Sequence, residues 1–531
     1  MNWLLIFVAL LFSNNPPVIF CQQPDYIRGK VINSKTSEPV PFAAVHLKNS
    51  QVGIYTNAEG DFRILNNPGF QSDSLIVTCI GFHRLSLAFS VLKTSGMNNL
   101  KLVPNIYSLN EVRVTARKRR LSPEVIITRA LRNIKKNCPD KPFSYVSYYR
   151  DYQKDSSNYL NLNEAIIQTL DKGFAYASDS NRYRLLDFKK NMDFFRMNIT
   201  PYYDLPETDH SDGSFKRMPH AFVGDQYGNE LFILLVHDAV RNFDKRSFSF
   251  VDTLTQSFLR NHRFSDPTGI YDGTTYLNKI DFTAKRLITG DSILMQGAIF
   301  IQPDDYSIHK LEYSGSFLDY SEEKYKEIFN IEIEYGHEPA VDSKMCLKYI
   351  SFSNLFTIPD SSDNDFFKIE KLEWKLPGGP YADYPFPDMT IVTYFNRKID
   401  PVLARKMDNY YLTIGKRKAR ITKVRVSGPY LYITVRDDKF KPEELDSCNL
   451  NIKYLKDIDG NILNKRSDLE FRQFRELFVQ EYNKPLESQN NCFIQSLPLE
   501  QNCISLSDNS RRFWMNTPLK AIEKQQDSQN H

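Results

Sequence analysis

The sequence predicts a mainly β protein with some α-helix, divided into several domains. Its 531 residues exceed the usual size of one domain. Short segments in which apolar and polar residues alternate recur between turn-forming residues, which is typical of strands with one buried face. The chain also contains 30 Tyr and 37 Phe, and aromatic side chains favour strands. Two segments, residues 122–137 and 469–482, show the spacing of amphipathic helices instead.

The N-terminal segment has the pattern of a secretory leader. Residues 3–12 form a compact apolar stretch, and residues 13–17 then break it. Cleavage before Gln22 gives a signal peptide at residues 1–21, and lipidation of Cys21 is left open. No later segment has 18 uncharged apolar residues. We therefore expect an exported protein without a transmembrane helix, located in the periplasm, at the outer membrane or on the cell surface.

Charge is nearly balanced along the chain. There are 68 basic and 64 acidic side chains, which gives a formal net charge of +4. This small excess predicts no nucleic-acid partner. The basic run at residues 117–120 is interpreted as part of a solvated linker before a helix.

Residues 25–104 predict a small β-sandwich. Alternating segments are separated by turn-forming residues at positions 33–41, 57–61 and 81. This stretch resembles the carboxypeptidase-like regulatory domain, a transthyretin-like module of many Gram-negative envelope proteins. The resemblance implies an accessory domain that is located in the envelope and carries no catalytic chemistry.

Residues 105–121 are predicted to form a linker. Within it, residues 108–116 are similar to the segment that follows the same module in TonB-dependent outer-membrane receptors. About 410 residues remain after it, too few for a plug and a barrel of about 22 strands. The receptor interpretation is therefore rejected.

Residues 122–384 predict an α+β domain with a long antiparallel sheet. Ser122 is a suitable N-cap, Pro123 suits the first helical position, and apolar residues recur on one face as far as residue 137. From residue 143 the pattern changes to strands, which continue as a meander to residue 376. Within it, residues 297–313, G-A-I-F-I-Q-P-D-D-Y-S-I-H-K-L-E-Y, resemble a strand pair of the open half-barrels found in periplasmic lipoprotein carriers.

Residues 385–465 predict an inserted β-sandwich, and its F-N-R-K-I-D-P and D-I-D-G-N motifs resemble those of a bacterial Ig-like domain. Residues 469–482 then predict a second amphipathic helix, with an apolar side formed by Phe471, Phe474, Leu477 and Phe478. We expect residues 466–523, this helix and the following tail, to pack on the α+β domain. Residues 524–531 are expected to be disordered.

No motif predicts catalysis, a metal or a cofactor. A zinc carboxypeptidase needs an H-x-x-E pair and a distant His, and the chain has one such pair, His309 and Glu312. Both lie in a predicted strand, where positions three apart face opposite sides. No H-E-x-x-H, G-x-S-x-G or Walker-type motif is present. We therefore predict no catalytic residue, no metal ligand and no cofactor.

Two groups of residues are candidates for ligand binding. Tyr145 and Tyr149 belong to an aromatic-rich strand that could line an apolar or glycan-binding concavity, although an aromatic core is the simpler interpretation. Asp204, Asp209 and His210 belong to the densest ionisable loop of the chain. This loop could bind a cation or a sugar, and its simpler interpretation is a solvated surface loop.

Together these features predict a non-enzymatic binding or structural protein that contacts an envelope protein or a glycan. The chain also resembles a family of exported proteins that carry the same regulatory domain and have no assigned activity. The resemblance comprises the helix at residues 122–137, the strands from residue 143, residues 163–165 and 171–174, and F-R-E-L-F-V-Q-E-Y at residues 474–482. One alternative is a carrier or sensor of an apolar ligand in a half-barrel cavity, and another is a hydrolase with an unrecognised site. Cys492 and Cys503 flank a short loop and could form a disulfide in an oxidising compartment, which the sequence leaves open.

Overall fold

The computed structural model contains three β-rich bodies: an N-terminal sandwich, a central sheet of eleven strands and a second sandwich. The mainly β fold predicted from the sequence is confirmed. The predicted signal peptide, residues 106–120 of the predicted linker and the chain beyond residue 504 lie outside the described residues. The structure describes residues 26–49, 53–57, 59–105, 121–155, 158–190, 203, 215–219, 228–246, 253–286, 292–319, 324–360, 362–375, 389–436, 441–483 and 492–504.

The N-terminal sandwich is built from seven strands. They are β1 (Tyr26–Asn33), β2 (Ala44–Leu47), β3 (Gly53–Tyr55), β4 (Asp61–Leu65), β5 (Ser74–Thr78), β6 (Leu85–Ala88) and β7 (Met97–Leu102). One sheet has the order β4–β1–β7 and the other the order β3–β2–β5–β6. Strand β1 pairs antiparallel with β4 and parallel with β7. Buried side chains that include Val31, Phe62 and Leu75 form the core of this sandwich.

Ten strands of the central sheet come from the middle of the chain. They are β8 (Phe143–Lys154), β9 (Tyr159–Asp171), β10 (Arg182–Lys190), β11 (His262–Phe264), β12 (Thr268–Asp272), β13 (Thr275–Ala284), β14 (Ile293–Ile301), β15 (Ile308–Asp319), β16 (Lys324–Glu338) and β17 (Lys344–Pro359). Strands β13 to β17 pair antiparallel in chain order. The meander predicted from the alternating pattern is therefore present.

Three helices cover one face of this sheet: α1 (Pro123–Asn137), α2 (Glu230–Val236) and α3 (Gln256–Asn261). Helix α1 has Ser122 as its N-cap and Pro123 at its first position, as predicted. Its predicted apolar face is buried against the sheet and comprises Ile127, Ala130, Leu131 and Ile134. Within the described ranges, no helix combines the length and the apolar character needed to cross a membrane.

The second sandwich lies in the chain after β17. Its elements are β18 (Ile369–Lys375), β19 (Met389–Phe395), α4 (Pro401–Ala404), β20 (Tyr410–Ile414), β21 (Arg417–Lys418), β22 (Arg420–Ser427), β23 (Tyr430–Arg436) and β24 (Cys448–Ile452). Its two sheets have the orders β18–β19–β23–β22 and β21–β20–β24. Ile391, Leu412 and Leu431 are part of its core. That this body is Ig-like stays a prediction.

The predicted boundary at residue 385 is wrong, because it places β18 in the α+β domain. Strand β18 pairs antiparallel with β19, and Trp374 lies opposite Ile391. Ile369 and Trp374 pack against the core of the second sandwich. The strand lies here because its apolar side chains complete that core, a contact that the alternating pattern alone does not specify.

The helix predicted at residues 469–482 is also wrong, because this segment is the strand β25 (Asp468–Asn483). Strand β25 lies inside the central sheet between β17 and β8 and pairs antiparallel with both. A strand covered on both faces needs apolar residues on both sides. Phe471 and Leu477 pack towards the helices, and Phe478 packs on the opposite face. The long backbone pairing with two neighbouring strands favours this arrangement over a helix.

Aromatic contacts attach the N-terminal sandwich to the face of the central sheet opposite to the helices. The ring of Tyr55 lies 5.1 Å from that of Tyr349 and 5.3 Å from that of Phe478, measured between centroids. The ring of Phe42 stacks on Tyr349 at 5.4 Å. These four side chains belong to one apolar cluster shared by the two bodies. The central sheet is therefore covered on both faces.

Polar contacts support the same attachment. Glu59 of the sandwich accepts hydrogen bonds from Lys154 and from the hydroxyl of Tyr159. Further along the interface, the backbone N–H of Gly81 donates to the carbonyl oxygen of Tyr271 at 3.0 Å. Backbone and side-chain hydrogen bonds of this kind fix orientation as well as contact. We infer that the sandwich and the sheet form one structural unit.

Candidate functional site

Tyr145 and Tyr149 of β8 lie in the core between the central sheet and its helices. Tyr149 is 0% exposed and Tyr145 is 5% exposed. The ring of Tyr145 packs against those of Phe143 and Tyr482, with centroids 6.1 and 5.5 Å away. Burial raises the pKa of both hydroxyls well above its ordinary value. Both side chains therefore have the surroundings of core residues.

The face of the sheet that would line a half-barrel cavity is filled with side chains. Residues from α1, α2 and α3 pack there against the strands in one apolar cluster. The space between Tyr145, Tyr183 and Asp238 measures about 20 Å³, room for about one water molecule and not for an apolar ligand. In the described part of the chain this packing contradicts the half-barrel cavity that a carrier of apolar ligands would need.

Asp204, Asp209 and His210 lie outside the described residues, so their proposed role stays a prediction. The described residues closest to them in sequence are Tyr203 and Phe215. Tyr203 and Lys216 form a parallel bridge between their backbones. The side chains of both belong to a group of charged residues in the core, described next.

Arg475 of β25 is the centre of this group, which we call the buried ion network: Arg475, Glu230, Lys216, Tyr203 and Asn354. Its guanidinium donates to Glu230 Oε2 at 2.5 Å, to the hydroxyl of Tyr203 at 2.7 Å and to Asn354 Oδ1 at 2.8 Å. Lys216 Nζ donates to Glu230 Oε1 at 2.6 Å. All five side chains are buried, and that of Arg475 is 0% exposed.

The two cations determine the ionisation of Glu230. Burial alone would raise the pKa of this carboxyl, but the charges of Arg475 and Lys216 lower it below its ordinary value. Glu230 therefore stays ionised, and both of its oxygens accept charge-assisted hydrogen bonds. Such a satisfied carboxylate has the properties of a structural ion pair and not of a proton-transfer group.

A second buried pair lies on the opposite face of the same strand. Arg150 of β8 forms an ion pair with Glu476 of β25, and the hydroxyl of Tyr349 donates to Glu476 Oε1 at 3.2 Å. Arg475 and Glu476 are adjacent in the chain, so they point to opposite faces of the sheet. The middle of the sheet thus carries an ion pair on each side.

Asp151 lies close to the buried ion network, but its pKa is shifted in the opposite direction from that of Glu230. Burial raises its pKa, and the charge of Glu230 raises it further, to about 7. Asn163 donates a hydrogen bond to Asp151 Oδ1 at 3.0 Å. The unfolded chain releases this proton near pH 3.8 and the folded protein releases it only near pH 7. This group therefore lowers stability progressively as the pH rises between these values.

Asp151→Asn is expected to raise the free energy of unfolding at pH 8, by about 2–4 kcal/mol, and to change it little at pH 4. The amide keeps a hydrogen-bond acceptor for Asn163 and removes the buried negative charge. Denaturant titrations at the two pH values measure the difference, and the same substitution at the exposed Asp408 is the control. A gain of equal size at both pH values would contradict the assignment.

An open cleft of about 740 Å³ lies at the edge of the central sheet, beside β10. We call it the edge cleft. Its apolar lining includes Tyr183 of β10, Phe232 and Val236 of α2, and Phe493 and Ile494. Its polar lining includes Asp179, Asn181, Arg182, Arg246 and Gln495. The volume and the mixed lining are typical of ligand sites.

The charged groups of the edge cleft are arranged at its rim. The guanidinium carbon of Arg182 lies 5.0 Å from the ring centre of Phe493, a cation–π distance. Arg246 donates to Asp179 at 2.8 Å. Both members of this second pair are partly exposed, so solvent screens their attraction. Arg182 and Arg246 can therefore leave these contacts and bind the carboxylate of a ligand instead.

One wall of the edge cleft is a short loop closed by a disulfide between Cys492 and Cys503. The backbone N–H of Ile494 donates to the carbonyl oxygen of Tyr183 at 2.8 Å. Asn502 accepts from the N–H of Gln495 at 2.7 Å. The loop is thus bonded to strand β10 and is also closed by its own internal bonds. These contacts fix the shape of this side of the cleft.

Sequence reasoning missed the edge cleft because three distant segments build it. Residues 178–183, 232–246 and 493–496 meet only after β10, α2 and the C-terminal segment have packed together. The one usable signal was the pair Cys492 and Cys503, since a disulfide across a short loop indicates a fixed local shape. The predicted ligand residues Tyr145 and Tyr149 do not line it.

A second cleft, of about 800 Å³, separates the N-terminal sandwich from the central sheet. Its lining is more polar and includes Lys310, Glu312 and Glu332. Lys310 forms ion pairs with Glu312, Glu332 and Glu334. Because these carboxylates already neutralise the cation, the edge cleft is the better candidate for ligand binding.

The N-terminal sandwich is similar to a known family of domains. Among the described residues, no group of three His, Cys, Asp or Glu side chains is placed to hold a metal ion. Residues 27–114 match the family model of the CarboxypepD_reg-like domain. The N-terminal sandwich is a CarboxypepD_reg-like domain. This confirms the predicted resemblance for that part of the chain.

The CarboxypepD_reg-like domain is a non-catalytic β-sandwich, and it covers strands β1 to β7. The match ends before helix α1, so it assigns nothing to the central sheet or to the second sandwich. No curated protein matches the chain.

Proposed function

We propose that the protein is a non-enzymatic binding protein of the cell envelope that holds another envelope protein at the edge cleft. The observation that supports this most is the cleft itself. It is open, it has a fixed wall and it combines aromatic side chains with arginines. These are the properties of surfaces that bind polypeptides, where aromatic residues and Arg contribute most of the binding energy.

The lining of the cleft indicates which segment it would hold. Tyr183, Phe232 and Phe493 offer apolar surface for a bulky side chain, and Arg182 and Arg246 offer charge-assisted hydrogen bonds for an acidic one. The cleft lies along β10, an edge strand of the sheet. An extended segment with an acidic residue next to apolar residues fits this geometry.

Two features support a non-enzymatic role. The CarboxypepD_reg-like domain carries no catalytic chemistry, and three of the buried carboxylates, Glu230, Glu476 and Asp171, are each held by an arginine. The predicted secretory leader supports the location in the envelope. A hydrolase that uses Asp204, Asp209 and His210 remains the alternative for the part of the chain outside the described residues.

Val236→Arg is expected to abolish capture of the envelope partner, because a long charged side chain fills the apolar part of the edge cleft. Val236 lies at the end of α2 and lines the cleft, so the substitution leaves the core in place. The measurement is an affinity pull-down from detergent-solubilised envelopes with the full chain. Val402→Arg is the matched control, since Val402 is 70% exposed and lies on the second sandwich.

The two variants must differ for the proposal to stand. Wild type and Val402→Arg are expected to recover the same partner band, and Val236→Arg is expected to recover none. Equal recovery with all three proteins would place binding elsewhere, and the absence of any partner above background would count against a binding function.

A further inference from the structure

We infer that the second sandwich carries a binding face for an acidic polysaccharide. The inference relies on export, as the proposed function does, but it concerns a different body of the fold and does not depend on the edge cleft. The face is the outward side of the sheet β18–β19–β23–β22. We call it the basic tyrosine face, and its members are Lys371, Glu373, Lys375, Thr390, Val392, Tyr394, Lys423, Arg425, Ser427, Tyr430, Tyr432, Thr434 and Arg436.

The strand register places these side chains on one side of the sheet. Tyr430 lies opposite both Tyr394 and Ser427, and Tyr432 lies opposite both Val392 and Arg425. The residues between them point the other way, and Ile391, Leu431 and Ile433 are in the core of the sandwich. Side chains directly opposite each other in paired strands share a face. The basic tyrosine face is thus a consequence of the β pairing.

Positive charge is concentrated on and beside this face. Strand β22 itself includes Arg420, Lys423 and Arg425 and no acidic residue. Lys423, Arg425 and Arg436 are exposed. At the described register positions of the face the one carboxylate is Glu373, which pairs with Lys371 and Lys375. In a chain with nearly balanced charge this is a local cationic surface, and such surfaces attract polyanions.

Three tyrosines form a continuous track across the face. The ring centroids of Tyr394 and Tyr430 are 5.0 Å apart, and those of Tyr430 and Tyr432 are 6.3 Å apart. Arg425 lies 5.9 Å from the ring centre of Tyr432. Tyr430 is 41% exposed. Sugar rings pack their C–H groups on aromatic faces, whose electron density is negative. Cations beside such a track can bind the carboxylates, sulfates or phosphates of the same chain.

The surroundings favour a polysaccharide over other polyanions. A surface that inserts into membranes presents bulky apolar side chains on its outer side, whereas this face presents tyrosines, cations and Thr434. Single-stranded nucleic acid would also use aromatic rings and cations. The predicted leader, however, directs the protein to compartments where acidic glycans, and not nucleic acids, are the abundant polymers.

Affinity electrophoresis of the full mature chain tests this inference. Polygalacturonate in the gel is expected to retard the protein, neutral dextran is expected to leave it unaffected, and the retardation is expected to weaken as salt is added. The double variant K423E/R425E is expected to bind polygalacturonate about tenfold more weakly. Tyr430→Ala is expected to weaken binding by a similar factor, and Tyr430→Phe, which keeps the ring, is expected to bind normally.

The matched control reverses two exposed lysines of the N-terminal sandwich, K48E/K101E, and so changes the net charge by the same amount. It is expected to bind like the wild type. Equal loss in K423E/R425E and K48E/K101E would overturn the inference, because binding would then follow net charge alone. Stronger retardation by polyuridylate, or flotation with anionic phospholipid vesicles, would overturn it in favour of a nucleic acid or a membrane surface. Thermal unfolding of each variant identifies any that fail to fold. If the charge variants do so, the difference in polygalacturonate binding between Tyr430→Phe and Tyr430→Ala decides whether the inference holds.

Discussion

Arg475→Met is expected to destabilise the protein by about 3–5 kcal/mol, because it removes one of the two cations that hold the buried carboxylate of Glu230. The guanidinium is 0% exposed and donates to Glu230, Tyr203 and Asn354. Methionine fills much of the same volume, so the loss reflects the missing charge and hydrogen bonds more than a cavity. Denaturant unfolding at neutral pH measures the change in the free energy of unfolding.

Arg417→Met is the control for this prediction. Arg417 also binds a carboxylate with two hydrogen bonds, to Glu444, but both partners are more than a third exposed. Exposed ion pairs contribute about 0–1 kcal/mol. If Arg475→Met costs no more than Arg417→Met, the buried ion network is open to solvent, and its carboxylate would then have to be reconsidered as a reactive group.

Tyr55→Ala is expected to destabilise the whole structural unit by about 2–4 kcal/mol, since it removes a large ring from an aromatic cluster. The ring of Tyr55 contacts those of Tyr349 and Phe478, which belong to the central sheet. We therefore expect the CarboxypepD_reg-like domain and the central sheet of the wild type to unfold in one transition. Calorimetry of the full chain measures the number of transitions and their midpoints.

The control for the interface is Tyr454→Ala, because Tyr454 is 79% exposed. It is expected to change the free energy of unfolding by less than about 0.5 kcal/mol. Two separate transitions in the wild type, with Tyr55→Ala affecting only one of them, would mean that the domain is tethered and not part of the unit.

Local chemistry was sufficient to predict several elements of this fold. Helix α1 was predictable because Ser122, Pro123 and a regular apolar face all favour the same structure. Strand β16 was predictable because Ile331 and Ile333 alternate with polar residues. Strand β25 was not, since its pattern is compatible with a helix until two neighbouring strands offer backbone partners. Pairing with strands that are distant in sequence determines that this segment is a strand, and the local sequence gives no sign of that pairing.

The candidate sites were harder to predict for the same reason. The edge cleft joins segments that are more than 200 residues apart in the chain. The basic tyrosine face had a detectable signal, since residues 415–427 are rich in Lys and Arg. The basic cluster predicted from the sequence is residues 117–120 alone, whereas in β22 Lys423 and Arg425 alternate with apolar residues, as in an ordinary strand. The tyrosines of β19 and β23 join them only through the register.

Site-specific photo-crosslinking in intact cells tests the central claim, that the edge cleft holds an envelope protein, most directly. A photoreactive phenylalanine analogue replaces Gln495, which is exposed and lines the cleft, and in a control protein it replaces Val402. We predict one discrete crosslinked species from position 495, its loss when Val236→Arg is added, and none of it from position 402. The same products from both positions, or no product from position 495, would contradict the proposed function.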